Sequence, residues 1–108
     1  MTIQINHQTF MIKICKTFIS RCIGMMGKKK TSSTGLYFPK CNSLHTFFMK
    51  QNIDIIMVNK KAQIVAFYQN VKPWHIVYCK KAVACYEFST GILTTIMVGD
   101  TVLLHTEL

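Results

Sequence analysis

The sequence predicts a mainly β protein, a compact single-domain β sandwich or partly open barrel of roughly seven to eight short strands with one or two short helices. Three observations carry that expectation. The apolar and β-branched runs are brief, about the length of strands rather than of long helices. Turn-forming residues recur between them. Half of the 108 residues are apolar, and no tract dominated by Gly, Pro or Ser interrupts them, so one domain over 1–108 has enough chain to bury its own core.

Thr2 to Asn6 alternates and Phe10 to Cys15 is rich in β-favouring residues, with His7-Gln8 as the reversal of an opening hairpin. Phe18, Ile19, Cys22, Ile23 and Met26 share one helical face, and Gly27 followed by three lysines supplies a stop, so a short helix is placed over about Thr17 to Met26. The polar stretch Lys28 to Thr34 is a loop. Gly35 to Phe38 resumes strand character until Pro39. Thr46 to Met49 and Ile53 to Val58 read as strands, the second apolar on both faces, as in a strand buried on two sides. Asn59-Lys60-Lys61-Ala62 turns the chain into a partner strand, Gln63 to Val71. Pro73-Trp74 opens an irregular crossing to a strand at Val83 to Phe88, which Thr90-Gly91 ends. Ile92 to Val98 fits a helix or a strand by periodicity alone, and Gly99-Asp100 turns into a last strand, Thr101 to His105.

The 13 Lys and Arg against four Asp and Glu give a net charge of +9, which favours polyanions through a nonspecific electrostatic term. Apart from Lys28-Lys29-Lys30, the lysines stand singly or in pairs at turns, the pattern of a solvated surface. The N-terminus lacks a basic start and a continuous apolar stretch, and no apolar run approaches the roughly 18 residues of a membrane span. A cytoplasmic location and no membrane span are therefore expected. Five cysteines, odd in number and without a CxxC pair, read as reduced thiols packed as small hydrophobes rather than as a disulfide framework.

Several separated motifs resemble one known family. Arg21-Cys22-Ile23-Gly24-Met25-Met26 is similar to its helical arginine, glycine and following hydrophobics, and Gly35-Leu36-Tyr37-Phe38 to its glycine-led strand. The block from Cys41 through Asp54 resembles the branch that carries Cys, His and an aromatic pair before Met. Glu87-Phe88-Ser89-Thr90-Gly91 and Gly99-Asp100 resemble its glutamate-led strand end and its final turn. The family is the prokaryotic domain of unknown function 192, and the resemblance covers about 21–103. Asn52 stands where this branch usually has proline, and Asn59 to Ala62 lacks the glycine common there. The resemblance implies a small, predominantly β domain and lends no chemistry.

Three of the four acids, Asp54, Glu87 and Asp100, fall inside these motifs, while Glu107 lies at the C-terminal end. Asp54, among Ile53, Ile55 and Ile56, needs a cation or several donors, because burying a carboxylate unpaired costs several kcal/mol, and Arg21, Lys50 and His45 are the candidate partners. Three arrangements satisfy it: an ion pair with Arg21, backbone N–H groups at a strand bend, or a partnership with His45 at the mouth of a pocket. Glu87 reads as a capping carboxylate and Asp100 as a turn residue. Cys41, His45 and Asp54 are the members of a Cys–His–acid nucleophilic set, provided that they meet in space. A closed zinc site wants four ligands, which this pair lacks beyond Cys22 or His75. No metal and no cofactor are expected. Tyr37, Phe38, Phe47, Phe48, Phe67, Tyr68 and Tyr86 read as core, so nucleic acid is not expected as a partner, while Trp74 in a loop is an anchor for a ligand or a protein. The expected function is a small non-catalytic module binding a small molecule or protein in a groove bordered by Arg21, His45, Asp54, Trp74 and Glu87. A Cys/His-dependent hydrolase and a polyanion binder are the alternatives.

Overall fold

A computed structural model of the chain describes residues 1–15, 34–47 and 49–105. The helix expected over Thr17 to Met26, most of the Lys28 to Thr34 loop, Arg21, Phe48 and Glu107 lie outside the described residues. The described residues form nine strands: β1 (Thr2–Ile5), β2 (Gln8–Ile14), β3 (Gly35–Pro39), β4 (Ser43–His45), β5 (Ile53–Val58), β6 (Ile64–Val71), β7 (Ile76–Tyr78), β8 (Ala84–Ser89) and β9 (Val102–His105). Seven form one sheet in the order β6-β5-β8-β3-β2-β1-β9, and β4 pairs with β7 in a second, two-stranded sheet.

The large sheet curls until its two edges meet. Gln63 and Thr101 form an isolated bridge between the starts of β6 and β9, flanked by Ile64 N to Asp100 O at 2.8 Å and Val102 N to Ala62 O at 2.8 Å. Backbone groups that would stand bare at the two edges are paired there. Asp100 closes the adjoining turn, its Oδ2 accepting from Met97 N at 3.0 Å and from Asn6 Nδ2 at 3.2 Å.

Curling gives the sheet an inner face, where Ile3, Ile5, Phe10, Ile12, Ile56, Tyr86, Phe88 and Val102 interlock. Across its outer face, β4 and β7 lay Leu44 and Val77 over Leu36, Phe38, Ile53, Ile55, Met57 and Cys85. β5 and β8 are consequently buried on both faces along their whole length, as the unbroken apolar run of β5 implies. Gly35 is required by this packing: a Cβ there would lie 2.4 Å from the Phe88 ring, which meets Phe10 edge-on at 5.4 Å.

Two expectations are corrected. The strand expected over Thr46 to Met49 lies earlier, at Ser43–His45, because Thr46 is diverted into bonds with the crossing segment: its hydroxyl donates to Lys72 O at 2.7 Å and accepts from His75 N at 2.8 Å. Ile92 to Val98 is neither helix nor strand; Leu93 and Ile96 plug the inner core from an irregular loop. The turn at Asn59 manages without glycine. Asn59 Oδ1 accepts from Lys61 N at 2.9 Å and Gln63 N at 3.0 Å, and Ala62 takes the left-handed position at φ 62°.

Candidate functional site

Asp54 occupies the centre of a local irregularity. β5 and β6 pair with Ile53 opposite Val71 but Ile55 opposite Tyr68, so Asp54 faces two residues, Gln69 and Asn70, where regular pairing would give one. The extra residue is accommodated by Asn70 at φ 56°, a conformation asparagine tolerates better than most side chains. The Asn70 N–H thereby released donates to Asp54 Oδ1 at 2.7 Å. On the other flank, Gly91 N donates to Oδ2 at 3.3 Å and the Thr90 hydroxyl to Oδ1 at 3.4 Å. One buried carboxyl thus ties the bulge of β6 to the end of β8, and of the three arrangements open to the sequence this is the strand-bend acceptor.

Those two anchored segments form the walls of a cleft of about 340 Å³ lined by Lys50, Gln51, Asn52, Asn70, Ser89 and Thr90. Asn52 Nδ2 donates to Asn70 Oδ1 at 2.9 Å, closing the rim on one side. Gln51 and Ser89 are buried, at 6 % and 2 % exposure, and face each other with Gln51 Nε2 donating to Ser89 Oγ at 3.5 Å. Of the six lining residues, sequence reasoning named Lys50, as a candidate partner of Asp54, and missed Gln51, Asn52, Asn70, Ser89 and Thr90 as site residues. The readable signal was the polar pair Gln69-Asn70 inside an otherwise apolar β6, opposite the one carboxylate of β5.

The other expected site residues come together in two further places. Glu87 is buried on the outer face of β8, together with Cys85, and burial pushes its carboxyl up to about 8, with the nearby Cys41 thiol contributing second. The Cys41 thiol donates to Ser43 O at 3.0 Å, and the Cys85 thiol donates to the Cys41 carbonyl at 3.3 Å. His45 is exposed on the two-stranded sheet, its Nδ1 accepting from Phe47 N at 3.3 Å. It joins Trp74 through a stack: His45 and Phe47 rings lie 4.7 Å apart, Phe47 and Trp74 rings 5.5 Å apart. Strand alternation sets Asp54 and Glu87 on opposite faces of the large sheet, and among the described residues the hydrogen-bond partners of His45 and Asp54 have no member in common. No group of three or more His, Cys, Asp or Glu among the described residues is placed to hold a metal ion.

Comparison with known proteins agrees with this architecture. A chain of unknown function from Novosphingobium aromaticivorans superposes with a TM-score of 0.81, covering 95 % of this chain and 84 % of that one at 17 % identity. A putative transcription regulator from Sinorhizobium meliloti gives a TM-score of 0.80 over 94 % of this chain and 90 % of that one, at 13 % identity. At such identities the likeness shows the fold. UPF0127 protein PH1112 of Pyrococcus horikoshii is 35 % identical over 79 residues, 69 % of this chain and 67 % of that protein. The model of the family DUF192, described as an uncharacterized ACR, matches residues 1–104, a wider span than the motifs alone suggested, and the chain belongs to that family of unknown function.

Proposed function

We propose that the chain is a non-catalytic binding module that takes a small polar, anionic ligand in the cleft beside Asp54. The observation that carries this reading is a pair of buried polar side chains, Gln51 and Ser89, turned to a cavity rather than into the core. Burying an amide and a hydroxyl is costly without hydrogen bonds, and their mutual 3.5 Å contact is long. A ligand oxygen between them supplies better partners. Lys50 contributes a positive charge, and the amides of Asn52 and Asn70 add directional contacts, while the Asp54 carboxyl is engaged in holding the walls. His45, Trp74 and Glu87 are not among the residues that line this cleft.

A reducing prokaryotic cytoplasm fits the odd number of cysteines and the bacterial and archaeal relatives. Among the described residues no helix is long and apolar enough to cross a membrane.

NMR titration of the full chain with acetate, inorganic phosphate and glucose tests the reading. Acetate and phosphate are expected to shift the amides of Lys50 to Asn52, Asn70 and Ser89 to Gly91, with affinity reduced in Lys50→Ala. Shifts elsewhere, or shifts indifferent to Lys50→Ala and Ser89→Ala, refute it.

A further inference from the structure

We propose that the outward face of the β4–β7 sheet is a docking surface for an acidic polypeptide segment bearing a large apolar side chain. The two strands pair Ser43 with Tyr78, Leu44 with Val77 and His45 with Ile76, so alternation sends Leu44 and Val77 into the core and the flanking residues outward. Ile76 and Tyr78 are 67 % and 57 % exposed, and Trp74, at the head of β7, is 60 % exposed. With Phe47 and His45 they form one continuous apolar strip, and a contiguous exposed strip of this kind marks an interaction site where scattered apolar residues do not.

The strip is built on rigid supports. Trp74 is held at φ 68°, a costly conformation for a bulky residue, and its N–H donates to Thr46 O at 3.0 Å. Thr46 is itself buried and knitted to the crossing segment by its backbone N–H to His75 O at 2.8 Å and by its hydroxyl bonds to Lys72 and His75. A pre-set aromatic anchor loses little side-chain freedom on binding, the property of interface hot spots.

Charge identifies the occupant. Exposed Lys72 precedes Trp74, and exposed Lys80 and Lys81 follow β7, so the strip has cations at both ends. Among the described residues the carboxylates are elsewhere: Asp54 and Glu87 are buried, and Asp100 lies where the large sheet closes. A second copy of this chain would bring the same lysines and the same +9 charge, so self-association is disfavoured. Single-stranded nucleic acid would satisfy the lysines, but it needs a run of open ring faces, and here Phe47 is stacked on both sides while Ile76, between Trp74 and Tyr78, offers no π face. A polypeptide with apolar and acidic side chains matches both the strip and its rim.

Selection of a random peptide library displayed on phage against the full chain tests this. The expected winners carry several Asp or Glu beside an aromatic or aliphatic residue, lose affinity as salt rises, and bind Trp74→Ala about tenfold or more weakly. Winners that are neutral or basic, winners indifferent to Trp74→Ala and Ile76→Ser, or a Trp74-dependent affinity for single-stranded oligothymidylate that exceeds that of any selected peptide would each overturn it. Both variants change exposed side chains, and an unchanged NMR spectrum of the large sheet confirms that they fold.

Discussion

Asp54 and Glu87 are both buried, on adjacent strands, yet among the described residues one meets hydrogen-bond donors and the other the Cys41 thiol and apolar carbon. Asp54 sits at the end of the inner face, where a bulge frees a backbone N–H on one side and the turn after β8 supplies an N–H and a hydroxyl on the other. Glu87 lies on the outer face under the β4–β7 cap, beside Cys41 and among Leu36, Ile55 and Cys85, and burial raises its carboxyl to about 8. At equal burial, a carboxyl's role follows from irregular backbone nearby. An irregular strand has donors to spare, whereas two regular strands have spent theirs on each other.

Removing the two carboxyls in turn separates their roles. Asp54→Ala leaves the Asn70 and Gly91 N–H groups without their partner and is expected to cost about 3 kcal/mol in urea denaturation. Asp54→Asn keeps an acceptor at Oδ1 and should recover part of that loss. A cost below about 1 kcal/mol for the alanine would mean that the bulge and the β8 end hold themselves.

Glu87 predicts a pH dependence with the opposite logic. Its folded-state value lies above the ordinary 4.5, so the protonated form is the one that folding favours. Its contribution to stability is complete below pH 4.5 and is lost as pH rises through about 8. Between pH 5.5 and 7.5 the wild type is expected to lose on the order of 2 kcal/mol, and Glu87→Gln, a neutral isostere, should abolish that slope. Equal slopes in the two proteins would show that other groups carry the pH response.

The large sheet was readable because its strands advertise themselves: the apolar run of β5, the turn at Asn59 and the breaks at Thr90-Gly91 and Gly99-Asp100 are local signals. The cap was not. β4 and β7 are three residues each, too short for a pattern of alternation to stand out, and the bonds that shift the first of them to Ser43–His45 come from Lys72 and His75, nearly thirty residues away. The Asp54 environment was legible as a need for donors, but their identity depended on the bulge, which arises from two strands and is written in neither. His45 and Trp74 meet only through Phe47, a ring that read as core from composition and is half-buried in a stack that ends on the surface.

A smaller effect separates the cap from the sheet it covers. Val77 is half-buried and packs inward with Leu44, so Val77→Ala removes two methyl groups from a site able to relax toward solvent, and on the order of 1 kcal/mol is expected. What matters more is where the loss is felt. The cap joins the rest through few backbone bonds, chiefly Cys41 N to Val83 O, so it can open while β5, β8 and β3 stay paired. Hydrogen exchange should then quicken at Leu44, Thr46 and Cys79 in the variant and stay unchanged at Ile55, Ile56 and Tyr86. Uniform quickening across both groups would show that cap and sheet unfold as one unit, and the distinction drawn between the two faces would reduce to chemistry without a mechanical counterpart.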